Sequence, residues 1–90
     1  MTLITKQIIV ATTPTLLCNP STSPQRVVVH NNATSQEIFV GPDGVTTLTG
    51  LHVDGKEERE FVLFPGQSLY GISAVPPSGS TVSIMIQTQT

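Results

Sequence analysis

An all-β fold, a small antiparallel β-sandwich or β-barrel-like module with an extended N-terminal segment, is what this 90-residue chain predicts. Three observations carry that expectation. Val, Ile and Thr fill 30 positions whereas Ala fills 3, and β-branched side chains suit a pleated, half-buried surface better than a helix. Turn signals recur every eleven to thirteen residues, at Pro42-Asp43-Gly44, Asp54-Gly55, Pro65-Gly66 and Pro77-Ser78-Gly79. Between them hydrophobic and polar residues alternate with a period of two, which sends one face of each strand to a core.

The first element is residues 2–13, which reads as one long strand. Ile4, Ile8 and Val10 share one parity and Leu3 and Ile9 the other, so neither face is purely polar. As a lone strand it would leave an apolar edge bare, which invites aggregation. Leu3, Ile4, Ile8, Ile9 and Val10 are therefore the candidate partner interface. Residues 12–25 are rich in Thr, Ser and Pro, with Pro14, Pro20 and Pro24 interrupting any sheet ladder. This change of character divides the chain into residues 1–24, an extended N-terminal arm or strand plus a Pro/Ser/Thr-rich linker, and residues 25–90, a compact β-sandwich body. The body is expected to survive loss of the arm.

Within the body, Val27 and Val29 oppose Arg26, Val28 and His30. Ile38 and Val40 flank Phe39, Phe61 and Leu63 alternate with Val62 and Phe64, and Val82, Ile84 and Ile86 alternate with Ser83, Met85 and Gln87. Phe39, Val62 and Phe64 make some strands apolar on both sides, so a second surface is expected to cover them. The candidate turn residues are Asp43, Gly44, Asp54, Gly55, Pro65, Gly66, Ser78 and Gly79, because Pro presets the first corner of a turn and Gly adopts positive φ without a Cβ clash. Pro65-Gly66 fits a type II turn. Six of the ten charged residues lie in Asp54–Glu60, a run expected to be a solvated hairpin tip that keeps a strand end from pairing with strangers. A cation site on Glu57, Glu58 and Glu60 is disfavoured by Lys56 and Arg59 among them.

Several function classes are excluded by composition. Four Lys and Arg against six Asp and Glu leave no basic footprint for nucleic acid, and four aromatic residues are too few for a base-stacking platform. No apolar run approaches a membrane span, and the run Ile8–Ala11 is shorter than a signal-peptide core. The chain is thus expected to be made in the cytoplasm, with no nucleic-acid or membrane partner. His30 reads as a sheet-surface or edge residue and His52 as a loop-proximal one, and neither sits in a zinc or triad motif. Cys18, the single cysteine, has no cationic neighbour in sequence to activate it and reads as a packed thiol. Asn32-Ala33-Thr34 matches a glycosylation sequon but reads as a loop between strands. With no acid pair, triad, metal set or phosphate loop, the expectation is a non-enzymatic domain that folds without cofactor, metal or reductant.

Asn31-Asn32, Ile38-Phe39-Val40-Gly41, Gly44-Val45-Thr46, Gly50, the run Phe61 to Ala74 and the closing strand Val82 to Ile86 form a pattern of tight corners and short strands. On these features the stretch from Val27 to Ile86 resembles the small β-modules of tailed-bacteriophage virions, chiefly capsid decoration and head-fibre proteins. The resemblance implies a structural protein on the capsid exterior, made in the host cytoplasm, that binds the assembled major capsid protein. Local three-fold positions, with a homotrimer as one arrangement, are the sites it implies. A carbohydrate- or receptor-binding β-sandwich of a phage fibre or tail is the alternative. Sugar sites generally use exposed flat rings, and this chain has no Trp and one Tyr, Tyr70, in an apolar strand.

Overall fold

The computed structural model describes residues 2–33, 36–73 and 80–88, which form eight strands and no helix among them. The strands are β1 (Thr2–Val10), β2 (Thr15–Cys18), β3 (Gln25–Asn31), β4 (Ile38–Gly41), β5 (Leu51–Val53), β6 (Glu58–Leu63), β7 (Leu69–Ser73) and β8 (Ser80–Thr88). They build two antiparallel four-stranded sheets, sheet A in the order β1-β8-β3-β6 and sheet B in the order β2-β7-β4-β5. The predicted all-β sandwich is the observed architecture.

The pairing has a simple rule. β1 pairs β8, β2 pairs β7, β3 pairs β6 and β4 pairs β5, so the chain is one long hairpin rolled up on itself. β3·β8 and β4·β7 contacts then close the two sheets. Eight strands wound this way form a jelly roll. Every connection crosses between sheets except β4–β5, which stays within sheet B. The Asp54–Glu57 turn, expected to be a hairpin tip, is one of the crossing arches, since β5 and β6 lie in different sheets.

The period-two pattern explains which side chains meet. Val27 and Val29 of β3, Val82, Ile84 and Ile86 of β8, and Leu63 of β6 point inward from sheet A. Ile38 and Val40 of β4, Val53 of β5, Leu69 of β7, and Leu17 and Cys18 of β2 meet them from sheet B. Phe61 packs partly against this core. The accessible surface is 5033 Å², close to the roughly 5,000 Å² that size scaling gives.

Of the two expectations for the N-terminal segment, arm or strand, the described residues take the strand. β1 runs the full length of β8, from Thr2 opposite Thr88 to Val10 opposite Ser80. β2, in the supposed linker, pairs with β7 across a bulge between Leu16 and Cys18. Val10, Leu17 and Cys18 are wholly buried. The described residues on either side of residue 24 therefore share one core, and the boundary there is a connection between β2 and β3. The prolines that suggested a linker lie outside strands β1 and β2, where they interrupt no ladder.

The turns are mostly where the sequence puts them. The Val45 amide donates to the Pro42 carbonyl at 3.1 Å and Gly44 has φ +84°. Gln67 donates to the Phe64 carbonyl at 3.1 Å with Pro65 and Gly66 at the corners and Gly66 at φ +87°, the expected type II turn. At Asp54-Gly55-Lys56-Glu57 the positive φ falls on Lys56, at +67°, and not on Gly55. Ser78 and Gly79 lie outside the described residues, as does Thr34 of the sequon.

A Cβ at Gly66 would meet no atom within 4 Å, so a substitution there carries backbone strain without a steric clash. Gly66→Val is expected to cost about 1–3 kcal/mol and to lower the melting temperature by roughly 4–20 °C for a domain of this size. An unchanged melting curve would contradict the strain at this turn.

Candidate interaction surfaces and an acid–histidine cluster

Four strands are edges: β1 and β6 in sheet A, β2 and β5 in sheet B. An edge strand offers unpaired backbone N–H and C=O groups, and folded proteins usually blunt it with short length, charge or proline. β2 and β5 are short, at 4 and 3 residues. β6 carries Glu58, Arg59 and Glu60, with Glu60 paired to Arg26 at 2.7 Å. β1 has none of these protections beyond one charge, Lys6, over 9 residues.

The five predicted interface residues separate by parity. Leu3 and Ile9 face outward from sheet A, 62% and 65% exposed. Ile4 faces the sandwich at its open flank and keeps 47% of its surface exposed, whereas Ile8 packs against the core. Val10 is fully buried and belongs to the core instead of the interface. The register across sheet A places Leu3, Gln87, Arg26 and Val62 in one outer row and Thr5, Met85, Val28 and Glu60 in the next. Two shallow depressions of about 400 and 210 Å³ share Val28 and Met85 along this face. Val62 and Phe64, expected to be covered, are 60% and 66% exposed, so nothing in the described chain covers them.

Sheet B's outer face carries a different chemistry. Phe39 of β4 stands opposite His52 of β5, their rings 5.4 Å apart at 47°. His52 is the middle residue of the three-residue β5, one residue from the loop on either side. Glu37 and Asp54 flank this pair at the same parity, so the period-two rule brings both carboxylates to the His52 ring. Nε2 of His52 lies against Glu37 Oε2 and 2.9 Å from Asp54 Oδ1. The hydrogen bond to Glu37 raises the His52 pKa above its usual 6.5, outweighing the opposing desolvation, and the charges of Asp54, Glu37 and Glu57 add to the rise. The alternate pair His52 and Asp54 was visible in the sequence, but Glu37 joins it only through the β4–β5 register.

The remaining notable groups are structural. Cys18 is buried, its Sγ 3.5 Å from Gln25 Oε1, and burial pushes its pKa up, with a smaller lowering by Lys6 and Gln25. His30 lies on sheet A's outer face with Nδ1 2.7 Å from Asn32 Oδ1. Glu57, set aside above as a cation ligand, accepts the Asp54 amide at 2.8 Å and tightens the arch.

No protein-family model matches this sequence, and no curated protein matches it. The likeness to known proteins is one of structure. A chain in the acid-stable capsid of Helicobacter pylori bacteriophage KHP30 superposes with a TM-score of 0.59 at 10% identity, covering 94% of this chain and 82% of that one. A chain of the Bacillus endospore appendages, a family of disulfide-linked pili, gives 0.57 at 13% identity, covering 99% of this chain and 87% of that one. At these identities the likeness establishes the sandwich fold. The pili are described as disulfide-linked, whereas the lone thiol of this chain is sealed inside its core.

Proposed function

We propose that this chain is a structural virion protein, a capsid decoration or cement protein that binds the assembled major capsid protein from outside. The observation that carries the proposal is the long, nearly uncharged β1 edge with Leu3 and Ile9 outward beside it. A neighbour's strand added to this edge would satisfy its free backbone groups, while Leu3 and Ile9 would set the register through pockets on the partner. A sandwich fold shared with a chain of a phage capsid supports the reading, as does the sequence resemblance to virion modules. No catalytic step is required for such a role.

The test is cosedimentation with purified heads that lack the protein. Leu3→Asp and Ile9→Asp alter exposed side chains, so melting curves should stay close to the parent. Each anchor is worth about 1.5–3 kcal/mol when buried, so each change should weaken retention roughly ten- to a hundredfold. Variants that bind heads as the parent does would remove β1 from the interface.

The alternative, a carbohydrate- or receptor-binding sandwich of a fibre or tail, draws on an open cleft of about 560 Å³ lined by Asp43, Phe61, Gln67, Ser68 and Leu69 among others. Binding to a glycan array without retention on heads would favour it.

A further inference from the structure

We propose that Glu37, His52 and Asp54 form a surface site for a divalent late first-row metal ion, Zn²⁺ in the first instance. Their donor atoms, one from each residue, all lie within 4.8 Å of one another. They come from the residue before β4, the middle of β5 and the residue after β5, so the β4–β5 pairing itself holds the triangle.

The arrangement asks for a cation with more than one bond to give. The Nε2 atom of an imidazole carries at most one proton, which can be directed at a single acceptor. Here that one nitrogen faces two carboxylates, Glu37 Oε2 and Asp54 Oδ1, the latter at 2.9 Å. A metal ion binds all three atoms at once. The donors of a tetrahedral zinc with bonds of roughly 2.0–2.2 Å stand about 3.3 Å apart, so the 2.9 Å Asp54 contact opens by a few tenths of an ångström and the closer Glu37 contact by more, a movement that the half-exposed Glu37 side chain permits.

The donor set also selects the metal. Ca²⁺ and Mg²⁺ favour all-oxygen shells, while an imidazole with carboxylates suits zinc and its neighbours. Support comes from behind the ligands. The Phe39 ring packs on the imidazole and limits its rotation. Asp54 is held by its amide bond to Glu57 Oε1 at 2.8 Å and by its carbonyl, which accepts the Glu57 amide at 3.1 Å. The side chains of His52, Glu37 and Asp54 are 45%, 46% and 55% exposed, which leaves the fourth position open to water or to a ligand from a neighbouring molecule. All three residues lie on the outer face and none belongs to the core.

Calorimetric titration of the full chain with Zn²⁺, repeated with Co²⁺ and read by visible absorption, tests the assignment. The expected result is one ion per chain and a higher melting temperature with zinc. His52→Ala should weaken binding by more than the roughly 10–100-fold that loss of a supporting partner costs. Glu37→Gln and Asp54→Asn should each weaken it as well, and His30→Ala should leave it unchanged. Failure of the parent chain to bind zinc, or binding that persists in His52→Ala, would overturn the proposal. So would binding that depends on His52 but on neither carboxylate.

Discussion

Deleting residues 2–13 is expected to leave a chain that no longer folds. The deletion removes the whole of β1, and with it Val10 from the core and the partial cover that Ile8 provides. It also strips β8 of one of its two neighbours, although Val82, Ile84 and Ile86 are among the most buried side chains of sheet A. Burial of an apolar side chain is worth about 1.5–3 kcal/mol, so losing Val10, part of Ile8 and part of the cover over β8 sums to several kcal/mol. A 90-residue domain has roughly 5–13 kcal/mol in total. Far-ultraviolet circular dichroism and a thermal melt of the truncated chain check this. A cooperative melt near that of the parent would mean that the chain folds without β1, as the sequence suggested. Because the truncation disturbs folding and binding together, the partner interface is tested with Leu3→Asp and Ile9→Asp instead.

Asn31→Ala is expected to be the most damaging single substitution described here, at about 2–4 kcal/mol, or roughly 10–30 °C in melting temperature. Asn31 ends β3 facing inward and is 0% exposed. Its Nδ2 donates to the Gln36 carbonyl at 2.8 Å and to the Val53 carbonyl at 3.2 Å, and its Oδ1 accepts the Ala33 amide at 3.1 Å. One side chain thus ties β3 of sheet A to β5 of sheet B and to the chain leading into β4. Its own backbone accepts the Lys56 amide at 2.8 Å and donates to the Glu57 carbonyl at 2.9 Å, fastening the crossing arch. Removing the amide leaves buried polar groups without partners, which costs more than the bonds themselves contribute. Asn31→Leu separates volume from hydrogen bonding. It should melt at least as far below the parent as Asn31→Ala does, and a Leu variant as stable as the parent would show that packing matters here and polar satisfaction does not.

Local physics was legible in the sequence. Alternation named the inward residues of β3, β4, β6 and β8, and Gly44 and Gly66 were read as turn residues because few other side chains tolerate positive φ. Lys56 shows where that logic stops. Positive φ at a residue with a Cβ costs about 1–2 kcal/mol, so local preference pointed to Gly55. The arch nevertheless places Lys56 there, where its amide reaches the Asn31 carbonyl.

What only the tertiary structure decided is which strands meet. The all-β class, the turn spacing and the inward parity follow from interactions within a few residues of chain, and the sequence by itself determined them. Strand order does not, because β1 finds its partner β8 at the opposite end of the chain. A segment apolar on both parities can be a free arm or an edge strand with equal local merit. It becomes an edge strand here because β8 pairs its backbone while the core takes Val10. The β4–β5 register likewise brings Glu37 to His52 and Asp54. Nothing in the intervening residues encodes that meeting, since the distance between two side chains on neighbouring strands is set by pairing and not by separation along the chain.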